Sequence, residues 1–335
     1  MPESADHPSA AFIAAFRRIA GPSDRMDFAR FMGLALYDVE VGYYRAARRR
    51  VGRGAGTDFY TASTSGAVFG ELIAAAAVKL LGNADPREFT FGEIGAEAPG
   101  PGEPARGILA GVEHPFAAVR TIPLGEEIKF SGPHVVFANE LLDAQPFDRF
   151  VFRGDRWRRL GVAESDGRLV EIEMPEPCNE PLLPAHAPEG YILDAPFAAS
   201  ALLDQIAGQP WTGLFLTCDY GRSRHELLTE YPAGTARAYH RHQQSNDLLA
   251  RPGEQDLTCH LCWDWLADIL RGRGFAQPTV ETQEAFFVKH AGSYLAAASA
   301  AEAARLSPRK LALMQLLHPA HLGQKFQVLH ALRSP

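Results

Sequence analysis

The sequence predicts a doubly wound α/β core with added elements. Three observations carry this reading: short apolar runs bounded by glycine, proline or polar residues, helical stretches between them, and an alternating segment that interrupts the series. The clearest run is Val135-Val136-Phe137-Ala138. It follows Gly132-Pro133 and leads straight into Asn139-Glu140-Leu141-Leu142-Asp143-Ala144-Gln145-Pro146. A continuous apolar run of this length reads as a parallel strand buried on both faces. Gly213-Leu214-Phe215-Leu216-Thr217-Cys218 is a second such strand, and it leads into Asp219-Tyr220-Gly221. Ligands of open α/β sheets collect beyond the carboxyl ends of the strands. Two buried strands that each end in acid therefore imply one shared cleft.

The other elements follow in order. Residues 8–20, with Phe12, Ile13, Phe16 and Ile19 on one face, and residues 26–37 predict two amphipathic helices, with Ser23 and Asp24 as caps for the second. An irregular stretch from Tyr37 to Ser65 carries Gly42-Tyr43-Tyr44 and the basic run Arg48-Arg49-Arg50-Val51-Gly52-Arg53-Gly54. A helix from about Gly66 to Leu81 has Val68, Leu72, Ala75 and Leu80 on its periodic face. Glu88 to Gly95 reads as the first strand of a nucleotide-type α/β unit, and 96–107, crowded with glycine and proline, as a loop. The pieces around 108–130 are too short for a full series of strands and helices. Residues 147–175 alternate as antiparallel strands (150–152, 157–162 and 169–174), with Asp166-Gly167 as the hairpin signal between the last two. Helices are expected over 195–207 and 257–273, one or two more over 295–318, and a final strand over 326–332. This divides the chain into an N-terminal helical and loop region, 1–82, packing on a core that spans 83–335. The core carries the hairpin insertion at about 147–175 and C-terminal helices.

Composition narrows the function. The chain has 335 residues, 46% hydrophobic and 22% charged, as an ordinary soluble globular protein has. A net charge of −7 argues against a broad nucleic-acid footprint. No apolar run is long enough to span a membrane, and the N-terminus lacks the basic start and apolar stretch of a secretory signal. Four cysteines in so long a chain are no disulfide framework, so the expected location is the cytoplasm. Neither a Gly-x-Ser-x-Gly elbow nor a Walker-type loop occurs.

Glu140 and Asp143 are three residues apart, so a turn places both on one side. Such a pair can clamp a guanidinium by bidentate, charge-assisted hydrogen bonds or act as general bases; at a helix start it can instead serve the helix dipole. Glu93-Ile94-Gly95 stands where a glycine would let a cofactor approach the backbone, a role that Gly100-Pro101-Gly102 and Gly107 could resume; an ordinary surface loop reads the same way. Cys259-His260-Leu261-Cys262, with His240 and His242 nearby, has no second ligand pair, and these cysteines read as small apolar residues, so no metal is assigned. The Arg48–Arg50 run reads as a solvated loop.

These motifs, in this order, resemble the MidA family, bacterial relatives of a mitochondrial complex I assembly factor. The resemblance rests on Phe31-Met32-x-x-Ala35-Leu36-Tyr37-Asp38-x-x-x-Gly42-Tyr43-Tyr44, Asp58-Phe59-Tyr60-Thr61-Ala62, Phe69-Gly70-Glu71, Asn139-Glu140-x-x-Asp143-Ala144-x-Pro146 and Asp219-Tyr220-Gly221. Arg237-Ala238-Tyr239, Pro252-Gly253-x-x-Asp256-Leu257-Thr258 and Gly323-Gln324-Lys325-Phe326-Gln327-Val328-Leu329 follow, so nearly the whole chain is covered. The resemblance implies a Rossmann-like class I methyltransferase core that uses S-adenosyl-L-methionine. Its substrate would be an arginine on a partner protein, as in the mitochondrial relative, where that partner is a respiratory-complex subunit. It implies that Asn139, Glu140 and Asp143 orient the guanidinium, that Asp219 lines the same cleft, and that Glu93 and Gly95 support the methionine part of the cofactor. The chain departs from the family at the cofactor loop: Glu-x-Gly-x-Gly-x-Gly is here Glu93-Ile94-Gly95-Ala96-Glu97-Ala98-Pro99. Only 43 residues separate Gly95 from Asn139, which looks like the loss of one strand–helix unit together with the acid that would hold the ribose. Glu126 or Glu113 could replace that acid. Two functions follow: an arginine methyltransferase with an unusual loop, or a methyltransferase-like protein that grips a partner without turnover. A metal-dependent hydrolase built on Cys259, Cys262 and the histidines is a remote third.

Overall fold

The computed structural model describes residues 8–45, 66–96, 103–302 and 307–334. Helix α1 (Ala10–Ala20) is capped by the Ser9 side chain and buries Phe12, Ile13 and Phe16. A three-residue strand, β1 (Arg25–Asp27), precedes α2 (Phe28–Tyr37). The cap of α2 is therefore Asp27, which accepts from the Arg30 amide at 2.7 Å, and not Ser23 or Asp24, which lie before the strand. Helix α3 (Ala67–Leu81) buries Val68 and Leu72 of its expected face, but also Phe69, Ile73 and Ala76 around the rest of its circumference. A helix that is apolar all round belongs between two layers.

The loop-rich middle contributes β2 (Thr90–Ala96), β3 (Ala118–Pro123) and β4 (Gly132–Asn139). The alternating segment then forms β5 (Asp148–Arg153), β6 (Arg156–Ser165) and β7 (Arg168–Glu173), which pair antiparallel. Asp166 and Gly167 join β6 to β7 at φ 53° and 79°, the left-handed pair that a two-residue type I′ hairpin requires. Strand β8 (Ile192–Ala195) joins this second sheet beside β5, and β1 joins it beside β6. Helices α1 and α2 pack against it, with Phe28 stacked on Phe147 at 5.1 Å.

After α4 (Phe197–Ala207) come β9 (Trp211–Asp219), β10 (Gly221–Arg222), α5 (Arg224–Thr229), β11 (Arg237–His240), β12 (Gln243–Ser245), β13 (Asp256–Thr258) and β14 (Leu261–Cys262). The helix expected over 257–273 is shorter, α6 (Trp263–Gly272), because Asp256–Thr258 pairs with β11 and Leu261–Cys262 with β10. Strand β15 (Ala276–Thr282), α7 (Gln283–His290), α8 (Gly292–Ala301), α9 (Pro308–Leu317) and β16 (Gln327–Arg333) complete the described chain.

The main sheet runs β15-β16-β9-β4-β2-β3. Strands β3, β2, β4 and β9 are parallel, and β16 is antiparallel to both of its neighbours. Alternate residues of β4 face opposite layers. Val135 and Phe137 join α3, α7 and α9 in one apolar cluster, whereas Val136 joins α4 and α6 in another. This two-sided burial is why the run Val135–Ala138 is continuous rather than alternating. Among the described residues no helix connects β2 to β3 or β3 to β4, and no helix is long and apolar enough to cross a membrane.

Candidate active site at the mouths of the parallel strands

Strand register sets the site. Asn139 lies opposite Cys218 and Ala138 opposite Ile94, so the ends of β2, β4 and β9 open at one level. Glu140 then turns the chain with φ 47°, and its amide donates to the Cys218 carbonyl at 2.9 Å. A non-glycine residue in this region costs about 1–3 kcal/mol and is held there by its surroundings, often at functional sites. Asn139 Nδ2 donates to Glu140 Oε1 at 3.0 Å, while Asn139 Oδ1 is buried without a partner.

The structure brings Asn139, Glu140, Asp143 and Asp219 together, but in unequal environments. Asp219 is fully buried at the end of β9. Its Oδ2 accepts from the amides of Leu142 and Asp143 at 3.0 and 3.3 Å, and its Oδ1 from Tyr220 at 2.8 Å. It holds the 140–143 turn from within. Burial raises its pKa to about 7, against the pull of those three amides. Asp143 is also buried; desolvation, with Asp219, Glu140 and Asp256 close by, pushes its carboxyl well above the usual range. With Asp219 also buried, the two carboxyls raise each other's cost of ionising, so they do not both carry full charge near neutrality. Asn139 and Glu140 are half-buried, so they present the polar surface that reaches the cleft.

Residues given no role from sequence complete the surroundings. Tyr44 Oη donates to Asp256 Oδ1 at 3.0 Å, Tyr37 stacks on Tyr44 at 5.4 Å, and Tyr37 Oη donates to the Ala144 carbonyl at 2.8 Å. Burial, then Asp143, raises the Tyr239 phenol; burial, then Glu140 and Asp143, raises that of Tyr220. All of them lie in stretches far from residues 139–143 in sequence, which is why spacing alone does not join them. The result is a cluster of four carboxylates and four tyrosines, in which Asp143, Asp219 and Asp256 are buried and Glu140 is half-buried.

The cofactor side differs from expectation in its details. Gly95, at φ +79°, lies at the end of β2 in a backbone conformation that favours glycine, and a Cβ there would meet the tip of the Leu141 side chain at 2.9 Å. Glu93 is spent on the returning chain: its Oε2 accepts from the Ile108 amide at 2.6 Å, and a Cβ on Gly107 would meet that oxygen at 2.5 Å. Glu126 pairs with Arg120 at 3.3 Å near the exposed sheet edge, Glu113 is exposed, and β3 ends in Pro123 without a carboxylate. Residues 97–102, with Glu97 and Gly100–Gly102, lie outside the described residues, as do Arg48–Arg50 and Asp58–Ala62. The left-handed backbone at Gly95 and the unpartnered Asn139 Oδ1 fit the methionine end of S-adenosyl-L-methionine, whereas on the ribose side β3 ends in Pro123 and Glu126, in the turn just after it, is paired with Arg120. Cys259 and Cys262 are buried core thiols, the latter pushed up by desolvation to about 12.

Glu93 yields a prediction for stability. Desolvation raises its pKa to about 7, from about 4.3 in the unfolded chain, so the native state holds the extra proton between these values. Its contribution is complete below about pH 4 and is lost as pH rises through 7. Glu93→Gln keeps an acceptor for Ile108 but cannot ionise. Urea unfolding at pH 5 and pH 8 should show the wild type losing up to about 3 kcal/mol that the variant keeps. Parallel pH curves for the two proteins would refute this.

A family model described as "Putative S-adenosyl-L-methionine-dependent methyltransferase" matches residues 109–279, just over half of the 335. Among solved structures the chain is similar to a superfamily member from Burkholderia thailandensis crystallised with S-adenosylhomocysteine, at 24% identity and a TM-score of 0.82, covering 96% of this chain and 92% of that one. A native crystal structure of an uncharacterized protein from the same organism matches at 24% identity with a TM-score of 0.76, covering 96% and 91%. Both likenesses are of fold. No curated protein matches. On the family match, this chain belongs to the S-adenosyl-L-methionine-dependent methyltransferases that the description names.

Proposed function

We propose that the chain is a methyltransferase of the MidA type that acts in the cytoplasm on an arginine side chain of a partner protein, with a respiratory-complex subunit as the implied partner. The observation that carries this reading is the cluster of carboxylates and tyrosines at the mouths of β4 and β9, with Asn139 and Glu140 half-buried at its surface. A half-buried carboxylate beside an unpartnered amide oxygen favours a cation, and a planar guanidinium suits paired oxygens. When bound, S-adenosyl-L-methionine supplies an electrophilic methyl group on a sulfonium. Glu140 and Asn139 orient the guanidinium so that one nitrogen faces that methyl, and Glu140 receives the proton the nitrogen sheds. Asp219 positions this pair by fixing the turn, and Asp143, whose carboxyl is pushed well above the usual range by burial, stands behind it as a largely protonated acid. Gly95, in its left-handed conformation, turns the end of β2 beside the cofactor's methionine end.

The second reading, a methyltransferase-like protein that binds its partner without turnover, is favoured by two features. Glu93 is committed to Ile108, and the family match begins only at residue 109, beyond the glycine-rich loop. Isothermal titration with S-adenosyl-L-methionine separates the readings. A dissociation constant in the micromolar range supports the enzyme, and no heat supports the binder. Glu97→Gly, which removes bulk and a negative charge from the loop, should tighten binding; an unchanged affinity would contradict the role given to that loop.

A further inference from the structure

Away from the strand mouths, three side chains from three elements converge between α7 and the main sheet. Glu281 comes from β15, His290 from the last turn of α7 and His330 from β16. Their ligand atoms all lie within 4.8 Å of one another. Both imidazole Nε2 atoms point at the same carboxylate oxygen, Glu281 Oε2, at 2.8 Å from His290 and 3.0 Å from His330. The other oxygen, Oε1, accepts from Lys289 Nζ at 2.9 Å.

We propose that Glu281, His290 and His330 form a binding site for a divalent first-row transition metal of the zinc class. Two imidazoles and one carboxylate are the donors such ions prefer, and they leave a coordination position for water. Calcium or magnesium would need more oxygen donors than are present. An ion about 2.0–2.2 Å from each donor holds its ligand atoms ~3–3.5 Å apart, so each histidine parts from the glutamate by only a few tenths of an ångström, while the two imidazole nitrogens, within 4.8 Å of each other, draw in on the ion. Each imidazole would keep its proton on Nδ1 and turn the Nε2 lone pair to the ion.

The frame around the cluster is rigid. Strand β15 runs into α7 without a linker, and the Thr282 side chain caps the helix by accepting from the Ala285 amide. The Phe286 ring lies 5.0 Å from the His290 ring and 5.5 Å from that of His330, which fixes both. The three ligand side chains are only 10–13% exposed, which leaves a narrow path for an ion and little room for rearrangement. The cluster is separate from the active site. His330 lies three residues along β16 from Gln327, the residue paired with Asp219, or about 10 Å at the rise of a strand. A bound ion would tie β15, α7 and β16 into one unit.

The test uses the full chain after removal of metal by chelation. Zinc is titrated in competition with a chromophoric chelator, and cobalt(II) is added in a parallel sample for its absorption spectrum. One zinc should bind with micromolar or tighter affinity and raise the melting temperature. The cobalt spectrum should show nitrogen and oxygen ligation without a thiolate charge-transfer band. His290→Gln and His330→Gln should each weaken binding by ~100-fold or more, beyond the 10–100-fold that loss of an outer-shell partner costs. Lys289→Ala, which removes a competing cation from Glu281, should tighten it and serves if a histidine variant fails to fold. Absence of zinc binding would mean that the cluster is ion-paired only. Affinity unchanged in His290→Gln, or a thiolate band, would place the metal elsewhere; each of these results overturns the proposal.

Discussion

Glu140→Gln is expected to lower the single-turnover rate of arginine methylation by at least ~100-fold, the low end of what loss of a positioned general base costs. The fold should survive, because residue 140 is half-buried, its backbone bond to Cys218 does not involve the side chain, and the Asn139 amide can still meet the glutamine oxygen. Circular dichroism and the urea midpoint should therefore stay within the wild-type range while the rate falls. A wild-type rate in this variant would remove Glu140 from the reaction. Because glutamine keeps the oxygen acceptor but not the charge, a fall mainly in kcat would point to proton acceptance, and a rise mainly in KM to guanidinium binding.

The largest stability effect is expected at Phe137. This ring is fully buried in the centre of β4, 5.8 Å from the Phe91 ring and 6.2 Å from that of Phe69, and it joins the sheet to α3. Truncation to alanine removes both contacts and leaves a cavity that rigid neighbours cannot fill. The expected loss is about 3–5 kcal/mol, read from urea unfolding. Phe137 also lies two residues before Asn139, so a surviving variant should bind substrate more weakly. A loss under about 1 kcal/mol would mean that the layer between the sheet and α3 collapses freely around the gap.

What was legible in the sequence followed the strength of the local signal. Strands β4 and β9 announced themselves because burial on both faces demands unbroken apolar runs, and glycine or proline marked their starts. The β6–β7 hairpin was legible from Asp166-Gly167 because few residue pairs adopt two successive left-handed conformations. Strand β15 was not. Ala276-Gln277-Pro278-Thr279-Val280 does not alternate cleanly and contains a proline, which an edge strand tolerates; the register shifts between Ala276 and Thr279. The helix expected from residue 257 arose because Leu257, Leu261 and Trp265 recur every four residues and mimic a helical face, whereas the first two lie in short strands. At the site, the gathering of acids was legible and their division of labour was not. Nothing in Asp219-Tyr220-Gly221 tells that both carboxylate oxygens will be taken up by backbone amides. Nor does anything in Glu93-Ile94-Gly95 tell that the carboxylate will meet an amide fifteen residues on.

The place of β16 has a consequence for how the chain acquires its shape. It slots between β9 and β15, its register set by residues more than a hundred positions earlier on one side and about fifty on the other. Of the described strands it is the last to leave the ribosome. Until it arrives, β9 and β15 have no partner between them, and each offers unpaired amides and carbonyls to any neighbouring chain. Assembly is thus governed by a late, long-distance closure, slow by the nature of its topology and exposed to aggregation while it waits.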